Sequence, residues 1–232
     1  MGGEIMKKIL KFFSLTEWII LSISLIIITT SFMIFDRTNY FTLISSIIGI
    51  ISVLLCAKGN VVGIVLGITF SVFYAIISYS MRYYGEMLTY LLMTLPMEVI
   101  SLISWIRHPS KESKMEVQVS SVRTKDIIIM FILAAITTFI FYFILKYLGT
   151  ENIVPSTISI ATSFCAVFLT HKRSPFYCLA YATNDLVLII LWALACIKDI
   201  SYLSVVICFG AFLINDIYGF INWNRIKKRQ RN

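Results

Sequence analysis

Charge is scarce in this chain. Of 232 residues only 14% are Asp, Glu, Lys or Arg, while 59% are apolar and the mean hydropathy is +0.87. Soluble domains carry about 25% charged residues, so this composition argues against a soluble fold. Histidine is rarer still: His108 and His171 are the only two, too few and too far apart for a haem pair or an HExxH zinc site. The five cysteines, Cys56, Cys165, Cys178, Cys196 and Cys208, all sit in apolar runs without CxxC spacing. They read as small buried hydrophobes, not as disulfides or metal ligands. No P-loop, GxSxG turn or nucleophile–base pair is present, so nothing points to an enzyme or to a bound cofactor. Strict alternation over short runs is also missing, which removes a β-barrel.

What remains is long apolar runs. Hydropathy places eight spans at about 15–35, 40–57, 60–81, 86–107, 125–148, 154–170, 175–197 and 200–224. The class is an all-α polytopic membrane protein. A net charge of +8 would suit a nucleic-acid binder, but its distribution speaks otherwise. If the N-terminus is cytoplasmic, sixteen of the twenty basic residues fall on that side, and only Arg37, Arg82, Lys146 and Lys198 fall outside. Both termini are therefore expected in the cytoplasm, with the charge acting as an orientation signal and no nucleic-acid partner. The first span follows Lys7, Lys8 and Lys11, yet the bulky Ser31-Phe32-Met33-Ile34-Phe35 offers no cleavage site, so it reads as a retained helix.

Nine of the twelve acids lie at span ends or in loops; Glu98, Asp185 and Asp216 lie near span centres. A charge at the bilayer midplane costs roughly 3 kcal/mol or more on insertion scales, so three of them mark a polar pocket or path. Two follow an asparagine, as Asn184-Asp185 and Asn215-Asp216. The fourth and eighth spans also end alike: Glu98, Trp105 and Arg107 recur as Asp216, Trp223 and Arg225, at an offset of 118. Each half runs from a short Ser-rich helix through a basic turn and a long helix to this acid-and-Trp helix. The expected core is 3+1+3: two parallel three-helix repeats joined by the helix at 125–148, plus one extra N-terminal helix. The expected boundaries are 1–38 for that extra helix, 39–108 for the first repeat, 109–150 for the cytoplasmic loop and linking helix, 151–225 for the second repeat and 226–232 for the basic tail.

Candidate ligand groups follow helical stripes. The seventh span offers Asn184, Asp185 and Trp192; the eighth offers Asn215, Tyr218, Asn222 and Trp223; the fourth offers Tyr90, Thr94 and Glu98, with Pro96 supplying a bend. Aromatic faces stack on flat rings, amides pair with carboxamides or hydroxyls, and a carboxylate attracts a cation. Gly63, Gly67 and Ser71 form a small-residue stripe for close helix contact. The serines of the short helices, such as Ser45, Ser52, Ser159 and Ser163, read the same way.

The run Asn215-Asp216 through Gly219, Trp223 and Arg225, the pair Asn184-Asp185 with Trp192, and Tyr84-Gly85-Glu86-Met87 together resemble the PnuC family of bacterial B-vitamin transporters, over about residues 40–230. The chain departs from that pattern at Tyr90, where members carry a Gln one turn after the acid corresponding to Glu86, and around Pro96-Met97-Glu98. The resemblance implies a bacterial inner-membrane facilitator, most often of nicotinamide riboside, with net uptake driven by a cytoplasmic kinase that phosphorylates the vitamin. It also implies contact with membrane lipid and a homo-oligomer, a trimer. The rival expectations are a proton-coupled transporter of thiamine, riboflavin or a nucleoside, and a vitamin-capture subunit of an ATP-driven importer.

Overall fold

The computed structural model describes residues 12–37, 39–81 and 83–231; Lys7, Lys8, Lys11 and Arg82 lie outside them. Among the described residues eight helices are long and apolar enough to cross a membrane: α1 (Leu15–Phe35), α2 (Tyr40–Ala57), α3 (Val61–Ser80), α4 (Tyr84–Arg107), α5 (Thr124–Tyr147), α6 (Ile153–His171), α7 (Phe176–Cys196) and α8 (Leu203–Arg229). A short 3₁₀ turn, Ile200–Tyr202, leads into α8. The spans read from hydropathy reappear with small shifts, except that α8 continues through its basic tail.

Helix contacts close a ring. α2 packs on α3, α3 on α4, α4 on α6, α6 on α7, α7 on α8, and α8 returns to α2. α1 lies outside against α2 and α8, and α5 lies outside against α6. Only the six ring helices can therefore present side chains to a common interior.

Hydrogen bonds repeat around this ring. Trp105 Nε1 of α4 donates to Thr170 O at the end of α6 (2.9 Å), and Trp223 Nε1 of α8 donates to Cys56 O at the end of α2 (2.8 Å). One residue earlier, Ser104 donates to His171 O and Asn222 to Ala57 O. The last carbonyls of a helix lack partners within it, so each acid-and-Trp helix closes the end of a helix from the other half. The turns match as well. Gly59 and Arg173, both with φ near the left-handed region (67° and 56°), follow α2 and α6. Asn60 N donates to Leu55 O, and Ser174 N to Leu169 O, completing the same helix-ending motif. These pairs are consistent with two three-helix units in one orientation.

At one end of the bundle the segment 108–123 runs across the helix ends. Val117 is fully buried there; its N donates to Gly59 O (2.9 Å), and Gln230 and Arg229 hold Glu116. Lys58, Lys172, Arg225 and Lys227 share this basic end, where Glu17 of α1 meets Lys58 at 2.8 Å.

Two glycines separate close contact from mere smallness. A Cβ on Gly63 would fall 2.5 Å from Cys56 N, a backbone atom, whereas one on Gly210 would meet nothing within 4 Å. Gly63→Ala is expected to lower the thermal midpoint in detergent, at a cost of about 1–3 kcal/mol from overpacking. Gly210→Ala should leave it equal or slightly higher, since Ala favours a helix by up to about 1 kcal/mol.

Candidate functional site

The ring encloses a cavity of about 90 Å³. A buried water needs about 10–15 Å³ by the same measure, so the space holds several. All six ring helices line it, and among the described residues no Lys, Arg or His does. Its polar groups are dominated by Glu98, Asp185 and Asp216, the three mid-span acids that their sequence positions singled out.

Each acid is positioned by its helix. Leu95 N donates to Tyr90 O, five residues back, within a π-helical stretch at Thr89–Thr94. Pro96 follows at once and cannot donate to the preceding turn, so the helix widens where an ordinary hydrogen bond is already lost. The wide turn keeps Tyr90, Thr94 and Glu98 on the cavity face. Glu98 Oε2 accepts from Ser71 Oγ at 2.7 Å. Gly67 leaves room beside it: a Cβ there would lie 3.4 Å from Glu98 Oε1. Asp185 of α7 and Asp216 of α8 also line the cavity. Asp185 Oδ2 is buried there without a hydrogen-bond partner. Asn184 Oδ1 accepts from Thr162 (2.7 Å) and Ser163 (2.9 Å) of α6, which fixes the amide at the cavity wall.

Aromatic layers lie on both sides. Toward the basic end, Tyr177 lines the cavity and packs on Trp223 at 4.8 Å; Trp105 is 5.3 Å from Trp223, and Val117 packs into the same cluster. Toward the other end, Tyr90 lies 4.4 Å from Tyr74, whose hydroxyl accepts from Trp192 Nε1 at 2.7 Å. Tyr83 and Tyr202 then cover Trp192. Aromatic side chains thus flank the cavity on both sides.

Of the ten candidate residues, Tyr90, Thr94, Glu98, Asn184 and Asp185 come together on its wall. Trp192 stands one layer away, behind Tyr74. Asn222 and Trp223 hold the end of α2. Asn215 and Tyr218 face α1, where Asn215 Nδ2 bonds Ser24 (3.3 Å) and Tyr218 bonds Glu17 (2.9 Å). Residues outside the ten candidates also line the space: Ser71, Phe70, Tyr181 and Phe212. Ser71 carried a signal, since it closes the Gly63–Gly67 stripe. Thr162 and Ser163 anchor Asn184, beyond their expected part in helix packing. Glu86, placed by sequence at a span end, is buried, with Oε1 bonded to Ser159 (2.9 Å) and Oε2 unpartnered.

The family model described as nicotinamide mononucleotide transporter matches residues 39–225. The chain belongs to that family. The match begins after α1 and spans the whole ring; the family is one of transporters, not enzymes. Among curated proteins the chain is similar to the nicotinamide riboside transporter PnuC of Neisseria mucosa, 23% identical over 201 residues, covering 84% of this chain and 76% of that one. It is likewise 23% identical over 192 residues to the PnuC of Haemophilus influenzae, covering 82% of each. A crystal structure of the vitamin B3 transporter PnuC has the same fold: TM-score 0.81, 23% identity and 94% of both chains covered.

Proposed function

We propose that this protein moves nicotinamide riboside, or a vitamin of the same charge and shape, across the membrane through the ring cavity. The observation that carries the reading is a cavity with three carboxyl groups, aromatic walls and, among the described residues, no basic side chain. A flat cationic ring is favoured by aromatic faces and a nearby carboxylate. A phosphate dianion is not, because it would meet carboxylates and find no cation. Of the two substrates in the relatives' names, the riboside fits and the mononucleotide does not. Asn184 and Thr94 offer hydrogen bonds to a carboxamide or to ribose hydroxyls.

Transport in this reading is facilitated diffusion, with the aromatic layers opening in turn at either end. Net uptake then comes from a cytoplasmic kinase that adds the phosphate the cavity rejects. The basic end, rich in Lys and Arg, faces the cytoplasm of a bacterial inner membrane. Trimeric assembly rests on the family resemblance alone.

Calorimetric titration of the purified protein tests the substrate. Nicotinamide riboside is expected to bind at least about tenfold more tightly than nicotinamide mononucleotide, and more tightly than riboflavin or uridine. Equal or tighter binding of the mononucleotide would contradict the reading.

A further inference from the structure

A second hollow lies outside the ring, on the face that meets lipid. α6 forms its floor, and α5 and α7 its walls. The groove holds about 800 Å³ and is almost wholly apolar, with Met130, Ala134 and Thr138 on α5, Ala161 and Cys165 on α6, and Ala180 on α7. The small side chains of α6 and α7 give it depth. Along α5 it runs from Met130 to Tyr142, about 18 Å at 1.5 Å per residue. The hydrocarbon of one leaflet is about 15 Å deep, half of a 30 Å core.

The basic end of this groove carries charge. Asp126 lies one turn before Met130, and Lys172 lies three residues after Leu169, another wall residue. Their side chains meet at 2.7 Å, joining α5 to α6 across the groove's end. With that pair neutralised, Arg123, Lys125 and Arg173 remain beside it. Among the described residues none of the three side chains forms a salt bridge, although Arg123 N donates to Asp126 at 3.3 Å. Arg173 Nε is buried with no hydrogen-bond partner at all, a costly state for a cationic donor.

We propose that this groove is a binding site for an anionic phospholipid. One acyl chain lies along Met130 to Tyr142, and the phosphate sits among Arg123, Lys125 and Arg173. Basic residues line the rim of many membrane proteins; here three of them flank in sequence the Asp126–Lys172 pair that ends an apolar groove of leaflet length. A zwitterionic lipid offers the same chain, but its ammonium would face these cations.

The test uses full-length protein stripped of lipid in detergent, with binding read by native mass spectrometry and by thermal midpoint. Phosphatidylglycerol is expected to bind about tenfold or more tightly than phosphatidylcholine with the same chains, in line with two to three basic groups near an anionic head. It should raise the midpoint, while inorganic phosphate should not. The double variant Arg123→Ala, Lys125→Ala alters exposed side chains only, so it should fold, bind riboside normally and lose most of the preference. Ala161→Leu should weaken both lipids by filling the floor. The proposal is overturned if the two lipids bind alike, if the preference survives the double variant, or if phosphate alone reproduces the shift. Cross-linking of Phe131→Cys between two copies would also overturn it, because a second protomer would then cover the groove.

Discussion

Glu98→Gln is expected to weaken nicotinamide riboside binding by about ten- to a hundredfold, while reduced nicotinamide riboside, with the same outline and an uncharged ring, changes little. The carboxylate faces the cavity, held by Ser71 at 2.7 Å, with no basic side chain among the described residues that line the space. Interactions with a charged group in a water-poor site contribute about 1.5–3 kcal/mol, which gives the stated range. Gln keeps the shape and the bond to Ser71 and removes only the charge. Titrating both ligands against both proteins forms a cycle in which the charge–charge component stands alone. If the variant loses both ligands equally, Glu98 acts on the shape of the site and not on a cation.

Asn184→Ala should weaken riboside binding by about five- to 150-fold, or 1–3 kcal/mol. Two causes act together. The ligand loses an amide partner, and the Thr162 and Ser163 hydroxyls lose the oxygen they share at 2.7 and 2.9 Å. A suitable comparison is Ser45→Ala, because that hydroxyl only returns to Phe41 O in its own helix; it should leave affinity unchanged. Normal binding by a folded Asn184→Ala protein would place the ligand elsewhere in the bundle.

The three mid-span acids were legible in the sequence because a bilayer makes any central charge conspicuous. They do share one cavity. The faces of α8 were less legible. Asn215 and Asp216 are adjacent in sequence and both buried, yet one bonds α1 and the other lines the cavity. Helical periodicity says which residues share a stripe; it does not say which neighbour meets that stripe. For Asn215 and Tyr218 the neighbour is the extra helix, whose Ser24 and Glu17 reach them. Glu17 and Glu86 were hidden for another reason. Both lie near span starts, where an acid is ordinarily solvated and favoured by the helix dipole, but here Lys58 and Ser159 reach them inside the bundle. The two aromatic layers also arise only on folding, as Tyr74 meets Trp192 and Tyr177 meets Trp223.

One rival to facilitated diffusion is proton coupling, for which Asp185 and Asp216, two carboxyl groups on one cavity wall, are the candidate carriers. Uptake of labelled nicotinamide riboside into liposomes containing only this protein separates the two. The account predicts entry that stops when inside and outside concentrations are equal, at the same rate with or without a proton or sodium gradient. Accumulation should follow only when a riboside kinase and ATP are enclosed. Gradient-driven accumulation without the kinase, abolished by Asp185→Asn while exchange persists, would contradict it.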